Sequence, residues 1–204
     1  STLQPTCPYG WTKLMCERML QDSANADPTF WRTLALRYFN PAGAHASGQL
    51  GEAPVGGGPT NLFPVLQRVA QGQQGQLTVF GKDYDTHDGT ALRDYIHIED
   101  LVDGHIMALR RLLSESASSF EVFNLGTGQG SSVLDVVRSF EEAVGQKVPL
   151  SFASRRSGDV ARAVADATKA KGVLGWTAKR SLLDMAKDSW RFQQLNPQGY
   201  ETSI

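Results

Sequence analysis

The sequence predicts an α/β fold, a sheet of buried strands alternating with amphipathic helices. Three observations carry that expectation. Short apolar runs, such as Thr33 to Phe39 and Glu121 to Leu125, read as buried strands. Between such runs, Glu99 to Leu113 and Ser132 to Val144 repeat apolar residues at helical spacing. Glycine-rich and polar loops gather in two places, which implies a substrate-binding part built on the sheet.

Each element follows from its residues. Trp11 to Asp22 suits a helix, with Leu14, Met15, Met19 and Leu20 at helical spacing and Pro28 beyond its end. Asn40-Pro41 stops the first strand. From Asn40 to Thr60 the chain carries Gly43, Gly48, Gly51 and Gly56-Gly57-Gly58 without a period, the mark of a long functional loop. Asn61 caps a helix running through Gln71, and Leu77 to Gly81 is a short strand. A second loop holds Asp83, Asp85, Asp88 and Gly89, followed by extended Arg93 to Ile98. The helix from Ser132 buries Val133, Val136, Val137 and Phe140. Val148 to Phe152 reads as a strand, Arg155 to Asp159 as a polar turn, and Asp166 as the cap of a helix ending at Gly172. Leu182 to Gln194 is the last helix.

Composition narrows the function. A net charge of −1 over 204 residues, with basic residues dispersed, argues against nucleic acid or an anionic membrane as partner. No apolar run reaches the length of a membrane span. Cys7 and Cys16 have neither zinc spacing nor a disulfide framework, so a reduced, cytoplasmic setting is expected. The opening Ser1-Thr2-Leu3-Gln4-Pro5 reads as the middle of a loop with no initiator methionine, so the chain is expected to be a portion of a longer protein.

The chemistry concentrates in Pro8-Tyr9-Gly10-Trp11-Thr12-Lys13. A phenol and an ammonium at i and i+4 share one helix face and can address one ligand. A cation near the hydroxyl favours the phenolate, the form a general base needs. Taken alone, the spacing is weak and far more often marks an ordinary exposed pair. Asn40, Asn61, Arg93, Arg156 and Asp159 lie in or beside the loops, whereas a merely solvated face would place polar residues at helical spacing. Arg93 and Arg156 suit a diphosphate, because guanidinium forks match phosphate oxygens; two separate surface ion pairs are the other reading. Other motifs lead nowhere. Asp83-x-Asp85-x-x-Asp88-Gly89 misses the calcium-loop spacing, and Gly126-Thr127-Gly128-Gln129-Gly130 misses the dinucleotide spacing. His97 and His105 read as structural, and no metal site is expected.

Read together, these segments resemble the UDP-glucose (UDP-galactose) 4-epimerases of the extended short-chain dehydrogenase/reductase superfamily. The resemblance rests on Pro8-Tyr9-Gly10 to Lys13, Leu36-Arg37-Tyr38-Phe39-Asn40-Pro41-Ala42-Gly43-Ala44-His45 and Asn61-Leu62. It continues through Asp88-Gly89-Thr90, Arg93-Asp94-Tyr95-Ile96-His97, Asn124-Leu125-Gly126-Thr127-Gly128 and Leu174-Gly175-Trp176.

The resemblance implies the C-terminal part of a Rossmann-type doubly wound sheet plus a smaller α/β substrate domain. Residues 1–41 and 94–127 would belong to the NAD-binding domain, and 42–93 and 128–204 to the UDP-sugar-binding domain. It implies NAD-dependent interconversion of UDP-glucose and UDP-galactose through a transient 4-keto sugar, in galactose metabolism, by a homodimer at full length. Tyr9 would be the base, with Lys13 on the nicotinamide ribose beside it. Tyr38, Phe39 and Pro41 would line the nicotinamide end. Asn40, Asn61, Leu62, Phe80, Arg93, Arg156 and Asp159 would contact the UDP-sugar, the arginines on the diphosphate and Asp159 on the uridine ribose. Ala163 stands beside the sugar where relatives carry Tyr or Cys, and Trp11 replaces a polar or charged residue. The glycine fingerprint and the catalytic Ser or Thr of the family are absent from this sequence, so the isolated chain is expected neither to hold NAD nor to epimerise. A pentose epimerase and a non-catalytic UDP-sugar binder are the alternatives.

Overall fold

A computed structural model describes residues 4–53, 61–114 and 117–200 of the chain; the Gly56-Gly57-Gly58 run lies outside them. The elements are α1 (Pro8–Ala26), β1 (Thr33–Tyr38), β2 (Asn40–Ala42), α2 (Leu62–Ala70), β3 (Leu77–Phe80), β4 (Leu92–Arg93), β5 (Tyr95–His97) and α3 (Ile98–Leu112). They continue with β6 (Phe120–Leu125), β7 (Ser131–Ser132), α4 (Val133–Val144), β8 (Leu150–Ala153), β9 (Arg162–Ala163), a π-helical turn (Ala170–Leu174) and α5 (Leu182–Leu195).

The pairings are mostly parallel, as strands separated by helices require. β1 pairs with β6, β2 with β5, β3 with β8 and β4 with β9, while β4 and β7 run antiparallel. Between β1 and β2 the chain changes partner. Phe39 donates its amide to the Leu125 carbonyl (3.4 Å) and Asn40 donates to that of Asp94 (3.0 Å). The segment following this switch lies at the carboxyl end of β1, where open α/β sheets bind ligands.

Two apolar clusters hold the elements. One joins Phe63, Leu66, Val69, Val79, Phe140 and Met185 from α2, β3, α4 and α5. The other joins Ile96, Leu101, Phe123, Leu125, Ala170 and Trp176 around β6 and α3. Val136, Val137 and Phe140 form the buried stripe of α4, with Val133 packed half-buried at its edge because it sits in the first turn.

The ends of the helices follow local chemistry. Ser132 and Asp135 form a capping box at α4, and Ser181 and Asp184 form one at α5. α1 begins earlier than its apolar spacing predicts, since Pro8 occupies the first turn, where a missing amide costs nothing. It also runs on to Ala26, and only Ala24 along it is buried. A fork from Arg37 on β1 to Glu17 (2.7 and 2.5 Å) fastens it to the sheet. Asn61 does sit at the N-cap of α2, but its side chain makes no capping bond. Asp166 accepts the Thr168 amide as expected (3.0 Å). The helix after it widens into the π turn from Ala170, runs past Gly172 to Leu174, and is closed by Gly175 in the left-handed region at φ 65°.

Candidate functional site

Tyr9 and Lys13 stand in the first turns of α1, and the Lys13 ammonium lies 5.1 Å from the centre of the Tyr9 ring. The phenol is 70% exposed, and no carboxylate among the described residues pairs with Lys13. Tyr95, a second phenol near the sheet, differs sharply. Burial pushes its pKa up to about 12 against the opposing charge of Arg93, so it stays protonated at neutral pH. Of these two phenols, only Tyr9 is open to a ligand.

At the carboxyl end of β1, Tyr38 is exposed, Phe39 half-buried, and Asn40 and Pro41 exposed on β2. Behind this segment Gly43 adopts φ 88°, and a Cβ there would stand 2.9 Å from Nε2 of the buried His97. His97 accepts the Glu99 amide at Nδ1 (3.1 Å), so its Nε2 carries the proton and donates to Asp188 (3.2 Å). His97 and His105 are therefore structural but do not pair; His105 donates to the Leu101 carbonyl (2.9 Å).

The residues expected from the sequence to contact a UDP-sugar sit on several elements. Phe80, Arg93, Arg156, Asp159 and Ala163 come together where β3, β4, β9 and the loop after β8 meet. The Arg156 guanidinium stacks 4.0 Å from the centre of the Phe80 ring. Arg93 donates to Asp159 (2.7 Å) and to the Val160 carbonyl (2.8 Å), and it faces Ala163 in register across β4 and β9. Arg93 is thus already paired, whereas Arg156 has no hydrogen-bonded partner for its side chain among the described residues. Asn61 and Leu62 stand at the start of α2, Asn61 exposed and Leu62 packed against the first apolar cluster. The loop bearing Arg156 approaches the start of α1, since a Cβ on Gly158 would lie 3.9 Å from the Thr6 carbonyl.

Two supporting groups were not legible from spacing. Asp94 is fully buried and accepts from the Thr127 amide (2.9 Å) and hydroxyl (2.6 Å), the Gly128 amide (2.9 Å) and the Ala165 amide (3.1 Å). It ties the β6 loop to the strand carrying Arg93. Gly126 is required beside it, because a Cβ would lie 2.7 Å from the Asp94 carboxylate. Asp83 and Arg155 form the other group. The Arg155 hydrogen bond holds the Asp83 carboxyl below the usual carboxylate range, and Asp83 raises Arg155 in turn. The adjacency of Arg155 to Arg156 was the one available signal.

A cavity of about 460 Å³ opens at the carboxyl end of β6, lined by Gly126, Thr127, Gly128, Asp166, Lys171 and Trp176 among others. None of the site residues expected from sequence lines it. His87, Asp88 and Asp135 place three donor atoms within 4.8 Å of one another. Their oxygens are engaged: Asp88 accepts from the Ser132 hydroxyl (2.5 Å), and Asp135 accepts from the Ser132 amide (2.9 Å) and Arg138 (2.5 Å). No described helix is long and apolar enough to cross a membrane.

Comparison with known proteins bears on this arrangement. The profile of the NAD dependent epimerase/dehydratase family matches residues 1–126. The chain is 51% identical over 201 residues to the UDP-glucose 4-epimerase of Bacillus subtilis, covering 98% of this chain and 58% of that protein. It is 50% identical over 198 residues to a Pisum sativum protein named bifunctional UDP-glucose 4-epimerase and UDP-xylose 4-epimerase 1, covering 97% and 56%. The structure of UDP-glucose 4-epimerase from Bifidobacterium longum, in complex with NAD+ and UDP, superposes with a TM-score of 0.91 at 46% identity, covering 98% and 58%. The chain thus spans a little over half the length of these relatives, and its parallel strands are part of their Rossmann-type fold.

Proposed function

Because the chain belongs to the NAD dependent epimerase/dehydratase family, we propose that it carries the tyrosine–lysine pair and the UDP-sugar site of a UDP-glucose 4-epimerase. The observation that carries this reading is the convergence of Phe80, Arg93, Arg156 and Asp159 beside the chain entering α1, whose first turns hold Tyr9 and Lys13.

The residues present fit the nicotinamide end of NAD. Tyr9, Lys13, Tyr38, Phe39 and Pro41 offer a phenol, an ammonium free of carboxylates and an open aromatic–proline surface at the end of β1. NAD supplies the hydride acceptance and return at the sugar C4. Tyr9 takes the proton of the 4-hydroxyl as the ketone forms and gives it back when the opposite face is reduced. Lys13 holds the ribose beside Tyr9. Arg156 binds the diphosphate with Arg93, Asp159 takes the uridine ribose, and Asn40 and Asn61 orient sugar hydroxyls.

The same reading assigns 1–41 and 94–127 to the NAD-binding domain and 42–93 and 128–204 to the UDP-sugar domain. It places the protein in galactose metabolism, as a cytoplasmic homodimer at the relatives' length. Asn61-Leu62 and the run from Asn40 to His45 favour hexoses. A pentose activity is the second reading, supported by the bifunctional name of the Pisum sativum relative.

The test is a chimera in which this chain replaces the matching region of the Bacillus subtilis relative. Interconversion of UDP-glucose and UDP-galactose, read by chromatography, is the expected result. A folded chimera that binds UDP but does not epimerise would leave only the non-catalytic UDP-sugar binder.

A further inference from the structure

Arg155 precedes the arginine assigned to the diphosphate, yet its own side chain is committed elsewhere. Its Nε donates to the Asp83 carboxylate (2.8 Å) and its Nη2 to the Asp83 carbonyl (2.5 Å). Its guanidinium lies 4.2 Å from the centre of the ring of Tyr84, which is itself buried. The third wall is Gly81, at φ 80°, where a Cβ would stand 2.4 Å from the Tyr84 ring and 3.0 Å from Arg155 Cγ. Gly81 directly follows Phe80, the ring on which Arg156 stacks at 4.0 Å. Two neighbouring arginines therefore grip two aromatics at one corner after β3.

The consequence is mechanical. Residues 154–160 form an exposed turn, and an arginine on such a turn loses rotamer and backbone freedom when it engages phosphate. Anchoring the preceding residue by a two-point bond and a ring removes part of that cost before the ligand arrives.

We propose that Arg155 is a positioning residue, whose clamp on Asp83 and Tyr84 holds Arg156 over Phe80 in the orientation that receives the diphosphate. The proposal rests on the UDP-sugar reading of this site and adds to it a residue that touches no ligand.

The experiment uses the whole chain and needs two readouts. In the first, ring-current shifts of the Arg156 side chain are followed by NMR without ligand, in the parent, Arg155→Ala, Asp83→Ala and the double variant. Each variant is expected to move those resonances toward free-arginine values, and the double no further than the singles. An Arg156 that stays stacked in both single variants overturns the proposal, whatever the ligand. In the second, UDP is titrated calorimetrically. Arg155→Ala and Asp83→Ala should each weaken UDP by about tenfold, the scale of one charge-assisted hydrogen bond, and the double variant by no more. If Asp83→Ala leaves UDP affinity intact or improves it while Arg155→Ala weakens it, Arg155 is a direct phosphate ligand and the proposal fails. A parent chain that binds no UDP would sink the UDP-sugar reading, while the NMR comparison still decides the clamp.

Discussion

Asp94 accepts both the amide and the hydroxyl of Thr127, at 2.9 and 2.6 Å, from a position with no solvent exposure. The residue before it, Arg93, donates to Asp159 at the mouth of the site. One dipeptide therefore joins the interior scaffold to the ligand face. Asp94 lies in the link between β4 and β5, and in extended chain successive side chains point to opposite faces, so the two neighbours serve opposite sides.

Replacing Asp94 by Ala should be destabilising. The amides of Thr127, Gly128 and Ala165 would lose their acceptor. Of these three residues only Ala165 is buried and Gly128 is exposed, so the loss should be roughly 1–3 kcal/mol, the cost of the unmatched Ala165 amide. Asp94→Asn keeps one acceptor oxygen and should cost less. Urea denaturation of the three proteins checks the order, and equal stability of parent and Asp94→Ala would contradict it.

Tyr9→Phe in the chimera removes the phenol and leaves the ring beside Lys13. Turnover should fall by ~10² to 10⁴, the usual contribution of a positioned proton acceptor. UDP affinity should stay near that of the parent, because Arg156, the arginine assigned to the diphosphate, stacks on Phe80 and not on the Tyr9 ring. Steady-state kinetics together with UDP titration separate the two, and near-normal turnover would remove Tyr9 from the mechanism.

Ala163 faces Arg93 across the strand pair and carries the smallest side chain that has a Cβ. On the proposed UDP-sugar reading, a tyrosine there would fill the space beside the sugar C2 substituent, whereas alanine would leave room for an N-acetyl group, since packed sites do not absorb extra atoms without strain. The chimera should interconvert UDP-GlcNAc and UDP-GalNAc as well as the unsubstituted pair. Ala163→Tyr should abolish the N-acetyl activity and largely spare the other. Comparing kcat/KM for both substrate pairs is the measurement, and absence of N-acetylhexosamine turnover in the parent would refute the pocket argument.

The α5 cap gives a pH dependence of known sign. Hydrogen bonds from the Ser181 side chain and then its amide hold the Asp184 carboxyl below its ordinary 3.8. A folded-state value below the unfolded one stabilises the fold above pH 3.8, and that contribution is lost as pH falls through the lower, folded-state value. The stability gap between the parent and Asp184→Asn should therefore be full near neutrality and close on acidification. Ser181→Ala should cost about 1 kcal/mol at neutral pH. Chemical denaturation at several pH values tests both, and a gap that widened toward acid would reverse the assignment.

What the sequence determined by itself was local. The Tyr9–Lys13 pair, the β1 and β6 strands, the stripe of α4 and the serine at its start each depend on residues within a turn or two of one another, and spacing reports them directly. The polar residues around the loops were legible as a set, but their division was not. Only the tertiary structure decided that Arg93 is taken by Asp159 while Arg156 rests on Phe80. The same holds for Asp94 with Ala165, Arg155 with Asp83 and His97 with Asp188, partners 71, 72 and 91 residues apart. Local propensity acts through neighbouring peptide units and leaves no trace of such pairs. A buried carboxylate or an anchored guanidinium is stable only once folding brings distant donors and rings around it, so its role exists in the packed chain and nowhere in the pattern of residues.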